Sequence, residues 1–253
     1  MSSGLHVVRA GDGPQIVLIH GSAADHRTWS ILLASALRAQ FTLVAYDRRA
    51  GVESIDGHVA DAAALLGPAP AVVVGSSFGA VIALELVRRR TEGIAGAVLI
   101  EPPLNSADGA PEARARFLDD FDRRAAEAGG PAAGELFLRT VLGDAAFERM
   151  PRVFKTQAMA KFAEIRADSV ALFDYRPRYG ELAVVTTPVL LLGGERSAGW
   201  YHRTLDELHG ALPGARLEIV AGAGHMLHAE ASRRFQTLLA GFAGPLLGVP
   251  APA

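Results

Sequence analysis

A serine lies between two glycines at residues 75–79, which read Gly-Ser-Ser-Phe-Gly with Ser77 at the centre. The β-branched run at 71–74 predicts a strand before this pattern, and the apolar run at 81–87 predicts a helix after it. A sharp turn between a strand and a helix exposes a serine hydroxyl, which can then act as a nucleophile. Glycine is needed on either side of the serine because a Cβ there would collide with the neighbouring strand or helix. Ser77 is therefore the candidate nucleophile; the alternative is an ordinary glycine-rich turn.

A serine hydroxyl is a poor nucleophile at neutral pH and needs a base to take its proton. His225 is the best candidate, because it lies in the glycine-rich loop after the last predicted strand; the alternative is a solvent-exposed loop histidine. His6, His58, His202 and His209 fall where surface residues are expected. His228 forms a His-x-x-His pair with His225 that lacks a third ligand, so no metal site is expected.

The oxyanion that develops during attack on a carbonyl needs hydrogen-bond donors. The backbone N–H of Phe78 is the first candidate, since it lies at the N-terminus of the predicted helix, whose dipole favours negative charge. The second should come from the loop after an early strand, where residues 20–23 read His-Gly-Ser-Ala and Ser22 is the best donor. A plain tight turn is the alternative for this loop.

Continuous apolar runs alternate with helical patterns along most of the chain and predict an α/β fold, a doubly wound and mostly parallel sheet. An edge strand is predicted at 5–9, and buried strands at 16–19, 41–46, 71–74, 97–100, 189–192 and 215–220. Helices are predicted at 28–37, 59–66, 81–87, 204–211 and 229–242. Ligands bind beyond the carboxyl ends of strands in such sheets. Six notable polar residues directly follow strands: His20, Asp47, Ser77, Glu101, Glu195 and His225.

The alternation stops between residues 104 and 183, where no convincing buried strand occurs and the apolar residues form amphipathic stripes. A segment of this length is too long for a loop and predicts a helical insertion. We therefore divide the chain into a core domain, residues 1–103 and 184–253, and a helical cap, residues 104–183.

Composition excludes several classes of protein. The 253 residues carry a net charge of −2, which gives no electrostatic basis for binding nucleic acid or an anionic membrane. The sequence has no cysteine, so thiolate chemistry is excluded. The N-terminus has no apolar leader, and no apolar run approaches a membrane span. We expect a soluble cytoplasmic protein with a small-molecule substrate, no cofactor, and no nucleic-acid or membrane partner. The oligomeric state cannot be inferred.

The order of these motifs resembles the α/β-hydrolase superfamily over nearly the whole chain, and in particular a small serine esterase with a helical cap. Residues 47–54 resemble the Asp-x-Arg-Gly-x-Gly-x-Ser segment of that family but depart from it at Ala50 and Val52. We interpret this segment as structural support for the rim of the pocket.

The resemblance also implies a carboxylate that orients His225. Most relatives have an aspartate at the position of Ser197, and a serine cannot stabilise an imidazolium by charge. Glu195 lies two residues earlier on the same turn. Glu101 follows the strand after the nucleophile helix, the place from which some relatives take their acid, and it is flanked by two prolines. We favour Glu101 over Glu195; the remaining alternative is another residue or none.

By resemblance, Ser77 attacks a carbonyl and an acyl-enzyme forms, which favours a small, largely apolar carboxylic ester, lactone or thioester as substrate. The same fold and triad also serve carbon–carbon bond hydrolases, cyclases and acyltransferases, and a non-catalytic ligand-binding protein is a further alternative. Trp29, Trp200 and Met226 flank the catalytic loops and are the candidate substrate-binding residues.

Overall fold

The computed structural model describes residues 4–104 and 111–250, and this part of the chain forms one seven-stranded sheet in the order β1-β3-β2-β4-β5-β6-β7. Only β1 is antiparallel to its neighbour; the other pairs are parallel. The predicted doubly wound, mostly parallel sheet is confirmed. The strands are β1 (Val7–Ala10), β2 (Gln15–Ile19), β3 (Thr42–Tyr46), β4 (Ala71–Ser76), β5 (Ile94–Ile100), β6 (Val189–Gly194) and β7 (Arg216–Val220).

Helices cover both faces of this sheet, as expected for strands that are apolar on both sides. On one face, Val81 and Leu205 lie in one buried cluster; on the other, Leu32 and Leu239 lie in a second. The described α-helices are α1 (Ser30–Leu33), α2 (Ile55–Ala63), α3 (Phe78–Arg88), α4 (Pro111–Ala128), α5 (Gly130–Leu142), α6 (Asp144–Arg149), α7 (Arg152–Met159), α8 (Phe162–Asp174), α9 (Tyr179–Leu182), α10 (Gly199–Ala211), α11 (Leu227–Glu230) and α12 (Ser232–Leu246).

The strand and helix on either side of Ser77 lie at the centre of the molecule. β4 is fully buried, with Val72, Val73 and Val74 inaccessible to solvent. Burial of each such side chain stabilises the fold by about 1.5–3 kcal/mol. In α3 every residue from Phe78 to Val87 is buried. The position of Ser77 is therefore fixed by two elements that are among the most deeply packed in the protein.

Within the described residues between β5 and β6 there are six helices, α4 to α9, and we call them the inserted helices. They have a small apolar core of their own, formed by Phe121, Ala133 and Ile165 and packed against Ala23 of the loop after β2. They are attached to the sheet layer through Glu85 of α3, which accepts a hydrogen bond of 2.8 Å from the Tyr175 hydroxyl. Among the described residues, no helix combines the length and the apolarity that crossing a bilayer demands.

Two predicted helices are interrupted in the structure, and two others, predicted at 59–66 and 204–211, begin earlier, at Ile55 and Gly199. The single helix predicted at 28–37 is broken into α1 and two short 3-10 turns, because Ser35 adopts an extended backbone and its hydroxyl caps Leu37. The helix predicted at 229–242 is divided into α11 and α12 at Ala231.

Candidate active site

The carboxyl ends of four adjacent parallel strands meet at one edge of the sheet. Ile19 of β2 pairs with Gly75 of β4, and Ser76 pairs with Ile100 of β5, which is itself level with Leu192 of β6. The residues that follow these strands therefore emerge side by side. This register brings His20, Ser77 and Glu101 to the same edge.

Ser77 adopts a strained backbone, with φ of 54° and ψ of −121°. A non-glycine residue at positive φ is held there only by its surroundings, and such strain is common at functional sites. Glycine is needed on both sides of it: a Cβ on Gly75 would collide with the Gly79 carbonyl, and a Cβ on Gly79 with the Ile19 carbonyl. The turn places Ser77 at the N-terminus of α3.

The His225 and Glu101 side chains are directly hydrogen-bonded, with 2.6 Å between Nδ1 and Oε2. Glu101 is completely buried, and its other oxygen accepts the backbone N–H of Gly194 at 2.7 Å. Both carboxylate oxygens are thus paired, as a buried charge requires. Glu101 itself has a positive φ of 43°, which is unusual for glutamate and turns the chain sharply after β5.

The other carboxylate considered, Glu195, lies elsewhere. It is exposed, and its Oε2 accepts the backbone N–H of Gly222 at 2.8 Å, which closes the turn after β7. Ser197, at the position where most relatives have an aspartate, is partly buried, and no hydrogen-bond partner of its hydroxyl occurs among the described residues. Only Glu101 of the two glutamates contacts His225.

The loop after β2 packs directly against Ser77. A Cβ on Gly21 would stand 3.0 Å from the Cβ of Ser77, so a side chain there would force the loop or the serine to shift. Ser22 follows, and its hydroxyl donates to Asp168 Oδ2 at 2.6 Å. The N–H of Phe78 belongs to the first turn of α3 and has no partner within that helix. Ser22 and Phe78 therefore flank the nucleophile from two elements.

Arg48 and Asp168 form a buried ion pair beneath the Ser22 loop, and the sequence analysis did not identify it. Arg48 donates to both carboxylate oxygens of Asp168 and also to the carbonyls of His20 and Gly21. Its guanidinium lies 4.5 Å from the centre of the Phe78 ring. One arginine thus contacts both segments that flank Ser77. No signal in the sequence connects Asp168, on α8, to this loop.

Two histidines near Arg48 are buried and neutral. The N–H of Arg48 donates to His20 Nε2, so Nδ1 of that imidazole carries the hydrogen and faces the Gly21 carbonyl. Burial, with Arg48 second, lowers the pKa of His20 to about 3. The prediction of a surface position for His58 is wrong: it is 1% exposed because α2 packs it edge-on against Phe78, and burial lowers its pKa to about 4.

Tyr201, at the start of α10, is a further contact of His225 that the sequence analysis missed. Its hydroxyl lies 3.2 Å from His225 Nε2, and the two rings are stacked with centroids 4.4 Å apart. No motif marks Tyr201 in the sequence; its proximity arises from the fold.

Asp47, after β3, is hydrogen-bonded to the loop after β2. Its Oδ1 accepts hydrogen bonds from the backbone N–H of His26 at 2.9 Å and from the His26 ring at 2.8 Å. Together with His6, these residues place three metal-ligating atoms within 4.8 Å of one another. The hydrogen bonds between Asp47 and His26 explain why these side chains lie together, because they hold the loop after β2 against the segment after β3.

A cavity of about 450 Å³ lies between the inserted helices and the first turns of α10, beside Leu104 in the segment after β5. Ser77, His225 and Glu101 do not line it. Its wall is mainly apolar and includes Leu104, Phe117, Phe137 and Trp200. Trp200 is thus the one predicted substrate-binding residue that lines it. Met226 follows His225 but does not line this cavity.

Trp29 does not belong to the cavity either. It is 1% exposed and packs in the core against His228 and Phe235.

The comparisons with known proteins identify the family of the chain. The model of the alpha/beta hydrolase family matches residues 16–236, and the chain belongs to that family. It is 28% identical to carboxylesterase YbfK of Bacillus subtilis (strain 168), over 89% of this chain and 79% of that protein. It is 37% identical over 144 residues to lipase LipV of Mycobacterium tuberculosis, over 50% of this chain and 55% of LipV. A thermophilic esterase from Thermogutta terrifontis has the same fold, with a TM-score of 0.80, 20% identity and coverage of 98% and 96% of the two chains.

Proposed function

We propose that the chain is a serine hydrolase that cleaves a small, largely apolar carboxylic ester, with Ser77 as nucleophile, His225 as base and Glu101 as the acid that orients the base. The observation that carries this proposal is the buried hydrogen bond of 2.6 Å between Glu101 and His225, at the sheet edge where Ser77 stands in its strained turn. The similarity to a carboxylesterase and a lipase supports ester hydrolysis as the reaction.

Each residue has a distinct task in the acylation step. Ser77 Oγ bonds to the ester carbonyl carbon while its proton passes to His225, and Glu101 stabilises the resulting imidazolium. The oxyanion is stabilised by the N–H groups of Ser22 and Phe78, with the dipole of α3 favouring the charge. The alcohol leaves with a proton from His225, and water activated by the same imidazole then releases the acid.

The inserted helices act as a cap over this edge in our proposal, and residues 104–183 form that unit. The apolar cavity is the pocket for the acyl or alcohol group. Arg114 lines it, but its guanidinium donates to the carbonyls of Leu172 and Pro103 and is held by the protein itself. Arg203 also lines the cavity and is exposed. Because the rest of the wall is mainly apolar, an uncharged apolar group of small or medium size is the ligand that the pocket fits best.

The test is hydrolysis of p-nitrophenyl acetate, butyrate, octanoate and palmitate by the protein and by Ser77→Ala. We expect turnover of the shorter esters, little of the palmitate because the cavity is small, and loss of all turnover in Ser77→Ala. Ser30→Ala is the matched control, because it removes the hydroxyl of an exposed serine that donates to the Arg27 carbonyl and has no part in the proposed site. Turnover that survives in Ser77→Ala would exclude Ser77 as the nucleophile. If the protein cleaved a diketone but no ester, the proposed reaction would change from ester hydrolysis to hydrolysis of a carbon–carbon bond.

A further inference from the structure

A second group of polar side chains lies where β1 pairs with β3. His6 precedes β1, His26 begins a 3-10 turn after β2, and Asp47 follows β3. One ligand atom of each residue, an imidazole nitrogen or a carboxylate oxygen, lies within 4.8 Å of the other two. We call these three residues the edge cluster. Two imidazoles and one carboxylate form a donor set that binds Zn²⁺ in proteins.

Backbone hydrogen bonds fix the relative positions of the edge cluster. β1 and β3 are antiparallel, and Val7 stands opposite Tyr46. The next opposed pair is His6 and Asp47, and the N–H of Asp47 donates to the His6 carbonyl at 2.9 Å. Side chains of opposed residues lie on the same face of such a ladder. The N–H of His26 donates to Asp47 Oδ1, also at 2.9 Å, so the fold itself brings the three residues together.

The hydrogen bond of 2.8 Å between the Asp47 and His26 side chains explains two members of the edge cluster, but not the third. Among the described residues, the His6 imidazole has no hydrogen-bond partner, although its ring centroid lies 4.8 Å from that of His26. His6 is exposed, and the other two side chains are partly exposed. An ion in solution can therefore reach the cluster, and His6 has a nitrogen available to bind it.

We propose that the edge cluster is a Zn²⁺ site, in which His6, His26 and Asp47 are the protein ligands and water fills the fourth position. This inference does not depend on the serine hydrolase function proposed above. Atoms that bind a tetrahedral Zn²⁺ lie about 3.3 Å apart. The bonded atoms of His26 and Asp47 are 2.8 Å apart, and no pair of the three ligand atoms is more than 4.8 Å apart, so small side-chain rotations complete the site.

A cation at this position replaces the hydrogen between His26 Nδ1 and Asp47 Oδ1. His26 then takes its other neutral tautomer, with the hydrogen on Nε2, so that Nδ1 offers a lone pair to the ion. The backbone N–H of His26 still donates to Asp47 and orients the carboxylate. The nearby carboxylate of Asp25 is already paired with Arg27 and Lys161, so the site has three protein ligands.

The test is calorimetric titration of ZnCl₂ into protein that carries no histidine tag and has been freed of metal with EDTA, which is then removed by dialysis. We expect one Zn²⁺ per chain with a micromolar Kd, and a higher Tm in its presence, because the three ligands lie together only in the folded chain. His6→Gln should weaken binding by about 10²-fold and abolish the rise in Tm. Because His6 is exposed, the Tm of this variant without Zn²⁺ should equal that of the wild type. Mg²⁺, which prefers oxygen ligands, should not bind.

Asp47→Asn is a second variant, because its amide oxygen can still accept the His26 N–H while the negative charge that attracts the cation is lost. It should also weaken Zn²⁺ binding. His209→Gln is the matched control, since it removes another exposed imidazole outside the edge cluster and should bind Zn²⁺ as the wild type does. The site is overturned if the wild type does not bind Zn²⁺, if His6→Gln or Asp47→Asn binds it as tightly as the wild type, or if His209→Gln loses as much affinity as His6→Gln.

Discussion

The guanidinium of Arg48 donates hydrogen bonds of 2.8 and 2.7 Å to the two carboxylate oxygens of Asp168. Both side chains are only 5% exposed. Arg48 lies after β3 and Asp168 on α8, so this ion pair joins the sheet layer to the inserted helices. Because the same carboxylate accepts the Ser22 hydroxyl, the ion pair also fixes the loop proposed to stabilise the oxyanion.

Asp168→Asn should destabilise the protein by about 3–5 kcal/mol, because it leaves the Arg48 charge buried without compensation. Urea denaturation measures the difference in unfolding free energy between the variant and the wild type. We also expect kcat to fall, since the Ser22 loop loses its anchor. Asp122→Asn is the matched control: it breaks the exposed ion pair with Arg166 and should cost less than about 1 kcal/mol. If both variants lost the same unfolding free energy, the buried ion pair of Asp168 would be no more important for stability than an exposed one.

Glu101→Gln should lower kcat by about 10³–10⁴-fold, because a neutral amide cannot stabilise the imidazolium and favours the wrong tautomer of His225. The measurement is steady-state hydrolysis of p-nitrophenyl butyrate. Glu195→Gln, which alters an exposed carboxylate of the same type, should retain near wild-type turnover. The opposite ranking would move the acid to Glu195.

The sequence predicted most of the fold because buried parallel strands have a distinctive pattern. The runs that became β2, β4 and β6 are continuously apolar, and the polar residues after them lie at one edge whatever the details of packing. The candidate nucleophile and base followed from local motifs. For these residues, position along the chain was enough to infer position at the sheet edge.

The remaining features depend on contacts between distant segments. Ser22 and Asp168 are separated by 146 residues, and no periodic pattern links them. Tyr201 contacts His225 only because α10 begins beside the last loop. The prediction for His58 failed because helix packing, rather than residue type, buries it. Such contacts follow from how helices pack, which a single sequence does not specify.

Gly79→Ala should destabilise the protein by about 1–3 kcal/mol, the usual range for overpacking. Its Cβ would collide with the backbone carbonyl of Ile19, which β2 holds rigidly. Gly241→Ala is the control: this glycine lies within α12 with open space around it, so alanine should stabilise the helix by up to about 1 kcal/mol. Thermal unfolding of both variants measures the effect, and the prediction fails if Gly79→Ala is as stable as the wild type.

The stability of the protein should fall as the pH drops below about 6.5, and His228 should be one cause. It is 5% exposed and its ring packs on Trp29, and burial, with His225 second, lowers its pKa to about 3. The unfolded chain therefore binds a proton near pH 6.5 that the folded chain takes up only near pH 3. Between these values stability rises with pH, and the histidine accounts for a loss of about 2 kcal/mol between pH 7 and pH 5.

His228→Gln removes this titration while keeping a polar side chain of similar size. We expect the difference in unfolding free energy between pH 7 and pH 5, measured in urea, to be smaller than in the wild type by about 2 kcal/mol. His209→Gln is the control, because this exposed imidazole is solvated whether or not the chain is folded. If His228→Gln loses as much stability on acidification as the wild type, burial of His228 is not a source of the acid sensitivity.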